Sequence, residues 1–188
     1  MFIFTSIEHI NGVPMNLPNY ITLLRIVLIP FFINLMIYGY YRSALIVFAA
    51  ACVTDALDGL IARVTNSISD LGALLDPIAD KLLILAAFVT LVLLGMLPVW
   101  LVIIVVSRDA ILVLGSLVIY FMGHDLKARP SIAGKTTTVL QLLVVTLALV
   151  LKAFGKEMAG TQVLHWTTAI FTLISGGQYV VRGTRIVS

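Results

Sequence analysis

Charge is what this sequence has least of. Of its 188 residues, 11% are Asp, Glu, Lys or Arg and 61% are hydrophobic, whereas a water-soluble domain carries roughly 25% charged residues. A chain bathed in water on all sides is therefore excluded. Cysteine is nearly absent too: Cys52 is the single one, which excludes an internal disulfide and leaves the redox compartment open. It follows Ala49, Ala50 and Ala51 in an apolar run, which points to a packing role. Basic runs are missing, since the twelve Lys and Arg stand apart from one another. The net charge of +3 thus does not describe a nucleic-acid surface, and no nucleic-acid partner is expected. Internal repeats, low-complexity segments and Pro/Gly/Ser linkers are lacking as well, so nothing suggests a second domain. The start Met1-Phe2-Ile3-Phe4 has neither the basic residues of a secretory leader nor a small-residue cleavage pattern after it, and nothing is expected to be removed.

What the chain does have is long apolar runs, several reaching the ~20 residues that a bilayer-spanning helix needs. Spans are expected at about 20–39, 42–62, 71–95, 98–123, 131–152 and 162–182. The fold class is all-α: a polytopic membrane protein of six transmembrane helices, residues 20–188, preceded by an interfacial amphipathic segment over 1–19. Pro18, Pro98 and Pro130 mark helix starts, where a missing N–H costs nothing, and Ser69 or Asp70 serves as an N-cap. With both termini in the cytoplasm, that side carries Arg63, Lys127, Arg129, Lys135, Arg182 and Arg185, against Arg42, Lys152 and Lys156 outside. The positive-inside rule favours this orientation, which suits a bacterial inner membrane.

Nine acidic residues are present, and Asp55, Asp58, Asp76 and Asp80 among them lie close together in or beside otherwise apolar spans. A carboxylate in the bilayer core costs a few kcal/mol even on lenient scales, so such groups face the protein interior and serve a site. Asp55 and Asp58 share a helix face at i, i+3, with Gly59 and Ala62 leaving space beside them. Gly72, Asp76 and Asp80 repeat at i, i+4, i+8 near the start of the third span. The short connection makes these spans antiparallel neighbours, so the two acidic faces can meet. Oxygen ligands without His or Cys select a hard cation, Mg²⁺ or Mn²⁺. Asp55 lies about 12 Å from the end of its span, below one interface and at nearly the depth of lipid phosphates. An ion-coupled membrane transporter is the alternative of another class, but transporter sites lie near the bilayer centre beside broken helices.

The stretch Asp55-x2-Asp58-Gly59-x2-Ala62-Arg63-x8-Gly72-x3-Asp76-x3-Asp80 resembles the signature of the CDP-alcohol phosphotransferases. Pro18-Asn19-x2-Thr22-x2-Arg25, Ser107-Arg108-Asp109 and Gly134-Lys135-Thr136 with Gln141 extend the resemblance along most of the chain. It implies a homodimer of six-helix subunits with a polar cavity open to the cytoplasm, where two divalent ions bind the diphosphate of CDP-diacylglycerol. By that resemblance Asp55, Asp58 and Asp76 are metal ligands, and Asp80 is the general base while sharing a metal. Asp58, Gly59, Ala62, Arg63 and Gly72 contact the CDP moiety.

Arg25, Arg108 and Lys135 stand inside apolar spans. A guanidinium fork and an ammonium together suit a phosphate, and the resemblance places them around a phosphorylated acceptor, glycerol-3-phosphate or phosphatidylglycerol. Asn19 through Arg25 and Asp76-Pro77-Ile78-Ala79-Asp80-Lys81 are most similar to phosphatidylglycerophosphate synthases of the family. Ser107-Arg108-Asp109 is more similar to its cardiolipin synthases. Arg25, Arg108 and Lys135 each have a structural alternative: pairing with Asp109 or a backbone carbonyl, or snorkelling to an interface. Lys81 points about 100° away from Asp80 on a helix and reads as a counter-charge. His9, His124 and His165 read as interfacial residues, Trp100 and Trp166 as interfacial anchors, and Gly176-Gly177 as a close-packing point.

Overall fold

Apolar runs interrupted by proline and glycine become six helices among the described residues: α1 (Leu17–Ile37), α2 (Tyr41–Thr65), α3 (Asp70–Leu93), α4 (Val99–Phe121), α5 (Ile132–Ala153) and α6 (Gln162–Val187). The computed structural model describes residues 17–65, 70–121, 132–158 and 160–187, with side chains except at 17–23, 55–65, 70–80, 116–121, 182 and 184–187. At about 1.5 Å per residue, even α1 with its 21 residues runs about 31 Å, the thickness of a bilayer's hydrocarbon core. The helices follow the expected spans closely, and α6 continues past residue 182 to Val187. Pro98 directly precedes α4 and Asp70 opens α3, as expected. The expected amphipathic lead-in ends in α1, which takes in its residues 17–19; its residues 1–16, with His9, and Ser69, Pro130 and His124 lie outside the described residues.

Three helices stop in the same way. At the end of α1, Tyr40 N donates to Leu35 O at 2.8 Å and Gly39 N to Met36 O at 3.2 Å, with Gly39 at φ 79°. This paired bonding satisfies carbonyls that the helix leaves orphaned, and it needs a left-handed residue, which glycine supplies without strain. The ends of α3, at Gly95, and of α5, at Gly155, repeat both bonds.

Packing follows helical periodicity. Phe32 and Met36 of α1, Ala44, Phe48 and Ala51 of α2, and Leu83, Ala87, Phe88 and Leu91 of α3 bury one stripe each, joined by Val144, Val145, Ala148 and Leu149 of α5. The alanines let the helices approach closely, and Phe32 meets Phe48 tilted, with ring centroids 5.8 Å apart. Cys52 packs against this core, as expected. α1 packs against α2 and α3, α5 against α2, α3 and α6, and α4 against α3 and α6.

The polarity is inverted relative to a protein in water. Val27, Phe31, Ile46, Val53, Ile103, Val139, Ile170 and Leu173 are exposed, while Arg25, Thr137, Gln141, Thr168, Thr172 and Ser175 are buried. Exposed apolar faces this extensive would aggregate in water and are what lipid accepts. The buried threonines satisfy themselves locally: Thr168 Oγ1 donates to Leu164 O at 2.7 Å and Thr172 Oγ1 to Thr168 O at 2.6 Å. Over the described side chains, Ile132–Ala153 is long and apolar enough to cross a membrane, and shorter apolar helical stretches run over Leu24–Ile37, Tyr41–Thr54 and Lys81–Leu93.

At one rim the start of α2 is fastened to the end of α5. Arg42 Nε donates to Ala153 O at 3.2 Å, Arg42 Cζ stands 6.0 Å from the Phe154 ring centre, and Lys152 Nζ stands 5.4 Å from that of Tyr41. Near the same rim Trp100 of α4 and Trp166 of α6 stack with centroids 4.7 Å apart, so the expected anchors also anchor each other. His165 departs from its expected interfacial place. It is 7% exposed, because the inward stripe of α6 carries it together with Thr161, Thr168 and Thr172.

Candidate active site

The acidic series falls where two helix ends approach their shared connection. Asp55, Asp58, Gly59, Ala62 and Arg63 occupy the C-terminal turns of α2, and Gly72, Asp76 and Asp80 the N-terminal turns of α3. Their side chains lie outside the described residues, as does the expected meeting of the two acidic faces. What the described part supplies is the frame: α1 and α5 each pack against both acid-bearing helices and hold them as a pair.

Immediately beyond Asp80 the side chains can be followed. Lys81 Nζ lies 3.5 Å from Asp109 Oδ1, tying α3 to α4. The same oxygen accepts from Arg108 Nη1 at 2.6 Å, and Arg108 Nη2 donates to Ser175 Oγ of α6 at 2.8 Å. One carboxylate thus serves two cations, leaving one positive charge in excess among the described residues of α3, α4 and α6 at this wall. The Arg108 side chain is 10% exposed, and its Nε is buried without a partner. Gly176 makes room for it: a Cβ at that position would stand 3.4 Å from Arg108 Cγ, whereas Gly177 faces open space. The expected glycine packing point is therefore Gly176 alone. A buried N–H of this kind, left without an acceptor, costs stability until one completes it.

The three expected acceptor residues are placed differently. Arg25 is 1% exposed within α1, Arg108 is held in the network just described, and Lys135 is exposed in the first turn of α5. α3 packs against both α1 and α4, so Arg25 and Arg108 belong to helices flanking the one that carries Asp76 and Asp80. The expected pairing of Arg108 with Asp109 and the counter-charge role of Lys81 are both present, in a single network. Ser175 was not legible: it is 67 positions from Arg108, and its signal is only a small hydroxyl in an apolar span beside two glycines.

A model of the CDP-alcohol phosphatidyltransferase family matches residues 15–174. The chain belongs to the CDP-alcohol phosphatidyltransferase family. A probable phosphatidylglycerophosphate synthase of Mycobacterium tuberculosis (strain ATCC 25618 / H37Rv) is 35% identical over 176 residues, covering 90% of this chain and 82% of that protein. The CDP-diacylglycerol--glycerol-3-phosphate 3-phosphatidyltransferase of Bacillus subtilis (strain 168) is 34% identical over 182 residues, covering 87% and 93%. The cardiolipin synthase (CMP-forming) of Homo sapiens is 35% identical over 191 residues, covering 93% of this chain and 64% of that protein. As a CDP-alcohol phosphatidyltransferase the chain is a transferase of phospholipid biosynthesis. The matched segment contains Arg25, the four aspartates, Arg108 and Lys135, and ends one residue before Ser175.

The CDP-alcohol phosphatidyltransferases use divalent metal ions. Among the described residues no group of three His, Cys, Asp or Glu could hold one. The residue types at Asp55, Asp58, Asp76 and Asp80 do fit: four carboxylates, all hard oxygen donors without nitrogen or sulfur, suit Mg²⁺ or Mn²⁺ rather than zinc.

Proposed function

We propose that this protein transfers the phosphatidyl group of CDP-diacylglycerol to glycerol-3-phosphate, giving phosphatidylglycerophosphate and CMP. Asp55, Asp58 and Asp76 would hold the metal, and Asp80 would both share it and take the proton of the attacking hydroxyl. Two bound divalent ions would supply neutralisation of the attacking and leaving oxygens. The remaining work falls to the chain. Gly59, Ala62 and Gly72 leave room for the cytidine and ribose, while Arg63 and Asp58 orient the CDP moiety. Asp80 removes the proton as the acceptor oxygen bonds to phosphorus and the bond to CMP breaks, a role for which a carboxylate in hydrogen-bond reach suffices. Arg25, Arg108 and Lys135 hold the acceptor phosphate. All six helices cross the bilayer, the cavity opens to the cytoplasm, both termini lie on that side, and the protein works as a homodimer.

The observation that carries this reading is the Arg108 network. A buried guanidinium, fixed by Asp109 and Ser175, stands across the Lys81 bridge from the helix bearing Asp80. Its excess positive charge matches a phosphorylated acceptor. A second reading, cardiolipin synthesis with phosphatidylglycerol as acceptor, is favoured by Ser107-Arg108-Asp109 and by the human relative. One experiment decides between them: purified protein with CDP-diacylglycerol and Mg²⁺ or Mn²⁺ receives each acceptor in parallel, and the lipid product is identified. Phosphatidylglycerophosphate alone supports the first reading and cardiolipin the second. No CMP release with either acceptor refutes both.

A further inference from the structure

Buried amide donors in native proteins find an acceptor. Gln141 does not: it is 2% exposed, and its Nε2 is buried without a hydrogen-bond partner among the described residues. Thr137, one turn earlier on α5, shows the contrast, its hydroxyl engaged with Ala133 O at 2.8 Å and Phe171 O at 3.0 Å.

The rim contacts fix the level of Gln141 in the bundle. Arg42 at the start of α2 touches Ala153 at the end of α5, and the two helices pack along each other in opposite directions. From that anchor α5 runs about 18 Å back to Gln141 and α2 about 20 Å forward to Asp55. α3 also packs on α5, and Asp80 lies about 15 Å from the start of α3, as Gln141 lies about 14 Å from the start of α5. An orphaned amide therefore sits at the level of Asp55 and Asp80, on the helix that touches both of theirs.

We propose that Gln141 is a substrate-binding residue of the aspartate site, its Nε2 donating a hydrogen bond to a phosphate oxygen of the CDP-linked lipid. This rests on the reading of the aspartates given above. A neutral amide approaches an anionic phosphate without adding to the negative charge of four carboxylates. Unlike a lysine, it is not captured by those carboxylates in ion pairs. The missing acceptor in the ligand-free fold is then the substrate itself.

Gln141→Met keeps the volume and removes the donor. The affinity for CDP-diacylglycerol, read by displacement of a fluorescent CDP-lipid analogue with Mg²⁺ present, is expected to fall at least about tenfold. The ligand-free variant is expected to melt at a higher temperature, because an unsatisfied buried amide is gone. Gln141→Glu, of the same shape, sets a carboxylate against the phosphate and weakens binding at least as much. Unchanged CDP-lipid affinity in Gln141→Met, or a lower melting temperature without ligand, overturns the proposal. Asp80→Asn separates the two readings. Turnover surviving that change defeats the aspartate reading and this inference with it, whereas lost turnover there beside normal affinity in Gln141→Met defeats the Gln141 assignment alone.

Discussion

Arg42 and Arg108 perform different work at the two levels of one bundle. At the rim, Arg42 and Lys152 lie over aromatic rings, and Arg42 caps the last carbonyls of α5. Both side chains are exposed, so little desolvation is involved and little is gained. In the interior, Arg108 is enclosed and its guanidinium is divided between a shared carboxylate and a serine. There the penalty for an incomplete charge is large. Depth, more than residue type, separates a fastening from a site.

Changes in the interior should cost function, with or without stability, and changes at the rim should cost stability alone. The largest effect is expected of Asp80→Asn, which should stop CMP release while leaving CDP-lipid binding in place; retained turnover would break the comparison at its centre. Asp109→Leu leaves Lys81 and Arg108 without their common counter-charge and should lower stability by about 3 kcal/mol, read by denaturation in detergent. It should also raise the KM for the acceptor. Ser175→Ala removes one bond from a charged donor and should raise that KM about tenfold with the KM for CDP-diacylglycerol unchanged, while Ser175→Thr should restore it. Equal changes in both constants would mean a general loss of packing. Smallest is Arg42→Gln, expected to cost about 0.5–1 kcal/mol of stability with kcat unaltered.

Much of the architecture was legible because lipid imposes length: a run of apolar residues long enough to span has to be a helix. Helix ends were less so. The stops at Gly39, Gly95 and Gly155 depend on local bonding that hydropathy does not register. The aspartates were legible by their cost in an apolar chain and by their spacing, which carried the family resemblance. Arg108 was legible as a charge and Asp109 as its neighbour, but Ser175 and Lys81 join them only through the packing of α6 and α3 on α4. Gln141 was legible as one of the residues carrying the family resemblance, but not as an unpartnered amide. Its significance comes from an acceptor that is missing, which no pattern of residue types encodes.

The stacking of Trp100 on Trp166 has an experimental consequence. These are the two tryptophans of the whole chain, one on α4 and one on α6, so the near-ultraviolet optical activity of the protein contains a coupled-chromophore signal from that contact. A wild-type sample without any label therefore reports spectroscopically whether α4 and α6 stay side by side at the rim as lipid substrates enter and leave.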